Sequence, residues 1–178
     1  MDRKKFIANS VKAMELSGVS REELIAYLSE GEKAERITVS FEIVYVDDSV
    51  SKERIAGKEI KGVIFTLKGS AVFVSAGYSS EKMTKDESAK YCASIKVRGM
   101  PCEEGSKKHW QSCGVLHFNL NQINLVLKSL ELKEIDGRAI WSSSSYYDFY
   151  WVVIPTEGDI DDQNPSFKYY VRPVCFLN

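Results

Sequence analysis

From Ile37 to Tyr45 the apolar side chains fall on every second position, as Ile37, Val39, Phe41, Ile43 and Tyr45. A period of two is that of a strand with one buried face. Val44 and Val46 add apolar residues to the other face, so the far end of this strand is expected to be covered on both sides. Two more β-rich runs, IKGVIFTL and AVFVSA, are joined through Lys68, Gly69 and Ser70. Gly69 can take the left-handed backbone of a tight turn, which predicts a hairpin. The intervening VDDSVSKERIAGKE reads as a charged surface loop.

Elsewhere the period is helical. Ile7, Val11 and Met14 predict one short helix, closed by Gly18, and Ser20 to Glu23 form a capping box ahead of Leu24, Ile25 and Leu28. The apolar stripe is narrow, so residues 1–36 are expected to be a helical segment, ending in the polar stretch Ser29 to Glu35. Residues 37–178 are expected to be the main domain. Within that domain Thr84 to Glu87 is a capping box for a helix placing Ala89, Cys92 and Ile95 on one side. Asn119 to Gln122 is another, followed by Ile123, Val126, Leu127 and Leu130 at core-facing spacing. VRGMPCEEGSKKHWQSC between them reads as loop. AIWSS, FYWVVI and KYYVRPVCFL read as strands, with PTEGDIDDQNPS as a turn-rich loop. Strands and helices in separate runs give an α+β class.

At 178 residues, with 44% apolar and 28% charged residues, the chain can bury a core without disulfide staples. The four cysteines, Cys92, Cys102, Cys113 and Cys175, are therefore expected to be free buried thiols. A net charge of −1 gives no electrostatic footprint for nucleic acid. No run approaches 18 apolar residues, so no membrane span is expected. The opening MDRKKFIANSVKAMELSGVS lacks the apolar run of a secretory signal. Cytoplasmic synthesis is expected, with a phage particle or the cell surface reached by another route.

Chemical motifs are sparse. Gly57 to Gly62 has neither the spacing nor the Lys-Ser/Thr of a phosphate loop, and no dinucleotide fingerprint occurs, so no cofactor is expected. Cys102, His109, Cys113 and His117 are zinc-ligand types within sixteen residues. They lack a Cys-x2-Cys knuckle, and loop thiols with incidental histidines are the simpler reading. Ser142 to Ser145, with His117 and Asp148, supply the residue types of a nucleophile, base and orienter, but no nucleophile elbow accompanies them. The serines are expected to follow a strand end and satisfy turn backbone. Asp47 with Asp48, and Asp161 with Asp162, read as solvated loop charge, with weak calcium binding as the minor option.

Aromatic residues are concentrated. Ten of the twenty in the chain lie in the last 38 residues. Tyr and Trp offer large, rigid, amphipathic contact area, and beside Ser, Asp and Asn they suit a recognition surface. Strand alternation predicts Trp141, Phe149, Trp151 and Tyr170 in the core, and Tyr146, Tyr147 and Tyr150 outside. The candidate ligand-binding residues are Ser143, Ser144, Ser145, Tyr146, Tyr147, Asp148, Tyr150, Asp159, Asp161, Asp162 and Asn164.

The run Trp141-Ser142-Ser143-Ser144, then Tyr150-Trp151, then Tyr170-Val171-Arg172-Pro173-Val174 resembles the C-terminal half of the Fibrobacter succinogenes major paralogous domain. It is similar also to the C-terminal domain of Legionella collagen-like protein. NLNQINLVLKSL and SAKYCASI resemble the helices that precede this half, so the likeness spans about residues 60 to 178. The family's Trp-Arg-Leu-Pro is replaced here by HWQSCGVLHFN. The resemblance implies a C-type-lectin-like fold, two helices flanking a small twisted antiparallel sheet that holds the C-terminal strand. Such domains serve as binding modules in adhesins, phage receptor-binding proteins and variable proteins of diversity-generating retroelements, and related formylglycine-generating enzymes show that the fold also catalyses.

The expected function is non-enzymatic recognition of a carbohydrate or protein through the serine- and aromatic-rich C-terminal surface, with homo-oligomerisation through the N-terminal helices. The lectin calcium signatures Glu-Pro-Asn and Trp-Asn-Asp are absent, so calcium-dependent sugar binding is not expected. Two other readings are an enzyme or metalloprotein built on the Cys/His cluster of residues 102–117, and a structural component of a phage particle.

Overall fold

A computed structural model of the chain describes residues 37–112 and 114–177. The helices expected over residues 3–31, the boundary expected at 29–35, and Cys113 lie outside the described residues.

The described residues form a mixed α+β fold around a five-stranded antiparallel sheet, ordered β10-β4-β3-β1-β2. Its strands are β1 (Ser40–Tyr45), β2 (Val50–Ser51), β3 (Ile60–Leu67), β4 (Ser70–Ser75) and β10 (Val174–Phe176). The β3-β4 hairpin turns at Lys68 and Gly69, both in the left-handed region with φ of 48° and 82°. That pair matches the right-handed twist of the strands it joins. Both faces of β3 are covered. Val63, Phe65 and Leu67 enter one core, with Ile43, Tyr45, Val72 and Val74, and Ile64 enters a second with Val44 and Phe73. Gly62 is required in β3, because a Cβ there would lie 2.5 Å from the Val74 carbonyl and against the Phe73 ring. Val46, expected to be covered, is exposed beyond the end of β1.

The helices are α1 (Lys85–Ser94), α2 (Lys107–Trp110), α3 (Val115–Phe118) and α4 (Leu120–Ser129). The capping box that starts α1 forms as expected, Thr84 and Glu87 bonding each other's backbone N–H. The face that α1 buries differs: Lys85, Ser88 and Cys92 are buried, and Ala89 is exposed. Helix α4 buries Ile123, Val126 and Leu127 as its spacing predicts, with Leu120 beside them. Its expected capping box does not form. Asn119 donates to the Val115 carbonyl and closes α3, while Gln122 accepts from the backbone and hydroxyl of Thr38. The stretch between α1 and α4 holds the hairpin of β5 (Lys96–Val97) and β6 (Met100–Pro101) as well as α2 and α3.

A second antiparallel sheet, ordered β7-β8-β9, comprises β7 (Ile140–Tyr146), β8 (Phe149–Ile154) and β9 (Asp159–Gln163). Two sequence expectations are corrected here. Strand β7 runs through all four serines, so they do not follow a strand end, and the loop expected at 155–166 contains β9. Ile140 and Val153 join the first core, and Trp141 and Val152 the second, so this sheet is rooted in both. Of KYYVRPVCFL only Val174–Phe176 is a strand; Tyr169 and Tyr170 make isolated bridges to Met83 and Ile140. Among the described residues no helix is long and apolar enough to cross a membrane.

Candidate ligand-binding surface

The β7-β8 hairpin projects from this root. Trp141 fixes its base: the ring is fully buried, its Nε1 donates to the Met83 carbonyl at 2.7 Å, and Tyr169 meets it edge-on at 5.1 Å. Above Trp141 the register shifts before Ser145 pairs with Tyr150. The serines hold this irregular stretch. Ser142 is buried and its Oγ accepts from the Ser144 N–H, the Ser143 N–H donates to the Gly105 carbonyl, and the Ser144 Oγ accepts from the Lys107 N–H that opens α2. Gly105 must be glycine, since its φ is 74° and a Cβ would stand 2.7 Å from Trp110 Nε1.

The hairpin turns on Tyr147 and Asp148 alone. Tyr147 has φ 51° and is 85% exposed. Left-handed backbone costs an L-residue with a bulky side chain about 1 kcal/mol or more, which Gly or Asn largely avoids. Around the turn, register places Tyr146 opposite Phe149 and Trp151 opposite Asp162 on one face. Tyr146 is 55% exposed and stands 4.7 Å from the Tyr147 ring and 6.1 Å from the Trp151 ring, centroid to centroid. The Lys107 ammonium sits 3.9 Å over the half-buried Trp151 ring. Trp151 Nε1 is buried and has no hydrogen-bond partner among the described residues.

Phe149, expected in the core, is 43% exposed, because the distal half of the hairpin extends beyond the layer that could bury it. Tyr150, expected outside, is half-buried on the opposite face, where the Lys85 ammonium lies 5.0 Å from its ring. Lys85 is itself buried in an ion pair with Glu104, whose carboxylate also accepts from Ser88 at 2.8 Å. This triad ties α1 to the segment before α2 beneath the hairpin.

The remaining candidates divide between two places. Asp159 and Asp161 stand on the Tyr150 face of β9, and Asp162 on the aromatic face. Asn164 closes a turn by accepting from the Ser166 N–H and hydroxyl. The described members of the Cys/His cluster do not converge. Cys102 is buried among the second core's side chains, His109 stacks on Phe176 at 3.8 Å, and His117 Nδ1 bonds the Pro155 carbonyl at 2.9 Å. No group of three or more metal-ligating side chains gathers among the described residues. Ser142, Ser144 and His117 are likewise each held by separate structural hydrogen bonds.

Two buried charges gave no sequence signal as site residues. Lys85 reads as a helix-surface lysine, and Arg172 is buried with no exposure. Phe149 and Trp151 also belong to the surface; their face is set by the turn at Tyr147 and Asp148, which carries no Asn-Gly or Asp-Gly signature in the sequence. No family model matches the chain, and no curated protein matches it.

Proposed function

We propose that this protein is a ligand-binding module of C-type-lectin-like fold that recognises a carbohydrate or a protein through the tip of the β7-β8 hairpin. The element order supports the fold: α1 and α4 precede a small antiparallel sheet, and the closing strand β10 returns to the larger sheet beside β4. The reading rests chiefly on Tyr147, an aromatic side chain kept both in left-handed backbone and in solvent. Left-handed backbone suits a two-residue hairpin turn, but Asn or Gly takes it at less cost, and an aromatic ring left in solvent buries nothing, so the choice of tyrosine here points to binding. Tyr146 and Phe149 flank it, and together they form an aromatic patch braced from behind by Trp151 and Lys107.

The test is a glycan array and a panel of purified surface proteins, probed with the full chain and with Tyr147→Asn. The variant should fold with equal or greater stability and lose every interaction that the parent shows. A parent ligand retained by Tyr147→Asn and by Tyr146→Ala/Phe149→Ser would sink the proposal.

A further inference from the structure

Strand β9 ends its sheet, and among the described residues its backbone pairs with β8 alone. In an antiparallel ladder alternate residues of such a strand turn their N–H and C=O outward, ready to pair with another chain. Register puts Asp159 across from Ile154 and Asp161 across from Val152. These two aspartates line a groove of about 420 Å³ together with the apolar Ala139, Val152, Ile154 and Ile160, and with Gln163 and Tyr169. Gln163 Nε2 donates to the Asp161 carboxylate at 2.5 Å and orients it. Among the described residues no Lys, Arg or His forms an ion pair with Asp159, Asp161 or Asp162.

We propose that β9 accepts an extended basic segment of a partner protein as a fourth strand, with Lys or Arg side chains seated in this groove beside Asp159 and Asp161. The inference goes beyond the aromatic tip, using the sheet's opposite face and its free edge. A lining that mixes apolar side chains with carboxylates not held in ion pairs fits a Lys or Arg side chain, whose methylene stem lies on apolar surface while its charged end meets a carboxylate. Added strands gain affinity from main-chain hydrogen bonds and specificity from alternate side chains. Positions of the incoming strand that face the groove would be basic, and those between them would face Asp162 on the other side. The five residues of β9 span about 16 Å, enough for two basic positions on one face.

The test uses the full chain and a fluorescein-labelled peptide alternating Lys and Val over six residues, read by anisotropy. The peptide should bind one-to-one, and a Glu-Val peptide should not. Raising salt from 50 to 300 mM, which shortens the screening length from about 14 Å to about 6 Å, should weaken binding several-fold. Asp159→Asn/Asp161→Asn should weaken it about tenfold with an unchanged far-ultraviolet spectrum. Of two analogues, N-methylated at the lysines or at the valines, one should lose binding and the other keep it, because alternate N–H groups of an added strand point at β9. Tyr147→Asn should bind the peptide like the parent, so failure of the tip and failure of the edge are read separately. No binding of the Lys peptide, equal binding of the Glu peptide, or equal binding of both methylated analogues and the parent would overturn the proposal.

Discussion

Arg172 carries a guanidinium with no solvent exposure and, among the described residues, no ion pair, the Asp136 carboxylate acting on it only as a nearby charge. Two carbonyls hold it instead: Nη1 donates to Lys133 at 2.9 Å and Nη2 to Ser75 at 2.6 Å, while the Tyr78 ring lies 5.0 Å from Cζ. Burial lowers its pKa to about 10, so it stays charged at neutral pH. One side chain therefore pins the end of β4 to the loop after α4. Arg172→Ala would leave both carbonyls unpaired and open a large cavity. We expect a loss of about 3 kcal/mol or more in urea unfolding, and Arg172→Lys, which cannot reach both carbonyls with a planar fork, should recover only part of it. A variant as stable as the parent would refute the pinning role. The sequence showed Arg172 only as part of a family-like motif. Its burial was not legible, because an arginine by itself predicts the surface. Tyr147 is the reverse case: its exposure was expected from a strand alternation that misplaces its neighbours Phe149 and Tyr150, whereas it is exposed because it forms the turn, and its left-handed backbone left no local signal.

Helix α1 shows why a hydrophobic period can assign an element yet miss its face. The capping box at Thr84 was legible because it is a local exchange of hydrogen bonds. The docking stripe was not, because Lys85 and Ser88 are buried only through Glu104, nineteen and sixteen residues away. Glu104→Ala would leave a buried lysine without its partner, and we expect a loss of about 3–5 kcal/mol; Lys85→Met/Glu104→Leu should restore most of it. A double variant no more stable than Glu104→Ala would show that the polar pair cannot be replaced by packing. Strand β9 was missed for a related reason: three aspartates and a nearby Gly and Pro outweigh one isoleucine in any local reading, while pairing with β8 comes from outside the segment. Helix α2 supplies a pH dependence. The Ser106 N–H donates to His109 Nδ1 at 3.1 Å, and burial, with the Lys108 charge second, holds the His109 pKa below its ordinary value. The unfolded chain then takes up a proton at higher pH than the folded one. Stability is full above about pH 6.5 and falls as pH drops from there towards the folded value. His109→Gln keeps an acceptor for Ser106 but does not titrate, so in urea melts from pH 7.5 down to 5 the parent should lose stability relative to the variant. A constant gap would refute it.

At the scale of the whole molecule the two sheets share both cores, so neither core can open without disturbing the hairpin that carries the aromatic tip. This coupling follows from register and chain order, and no stretch of sequence displays it; the α+β class, the β3-β4 hairpin and the α4 face were legible because each is a local period. The cysteines offer a way to measure it. Cys92, Cys102 and Cys175 are free and buried in the second core, where burial pushes the Cys92 thiol well above its usual range, the Cys102 thiol up to about 12, and the Cys175 thiol upward. A thiol reacts as thiolate and only when a reagent reaches it, so all three depend on opening of the fold. In a Cys113→Ser background, a disulfide reagent at pH 8 should modify these three at one common rate, and urea added below the unfolding midpoint should accelerate them together, since all three wait for the same opening. Separate rates, with Cys92 on α1 reacting before Cys102 and before Cys175 of β10, would mean that α1 lifts independently. The aromatic tip would then sit on a base that opens in parts.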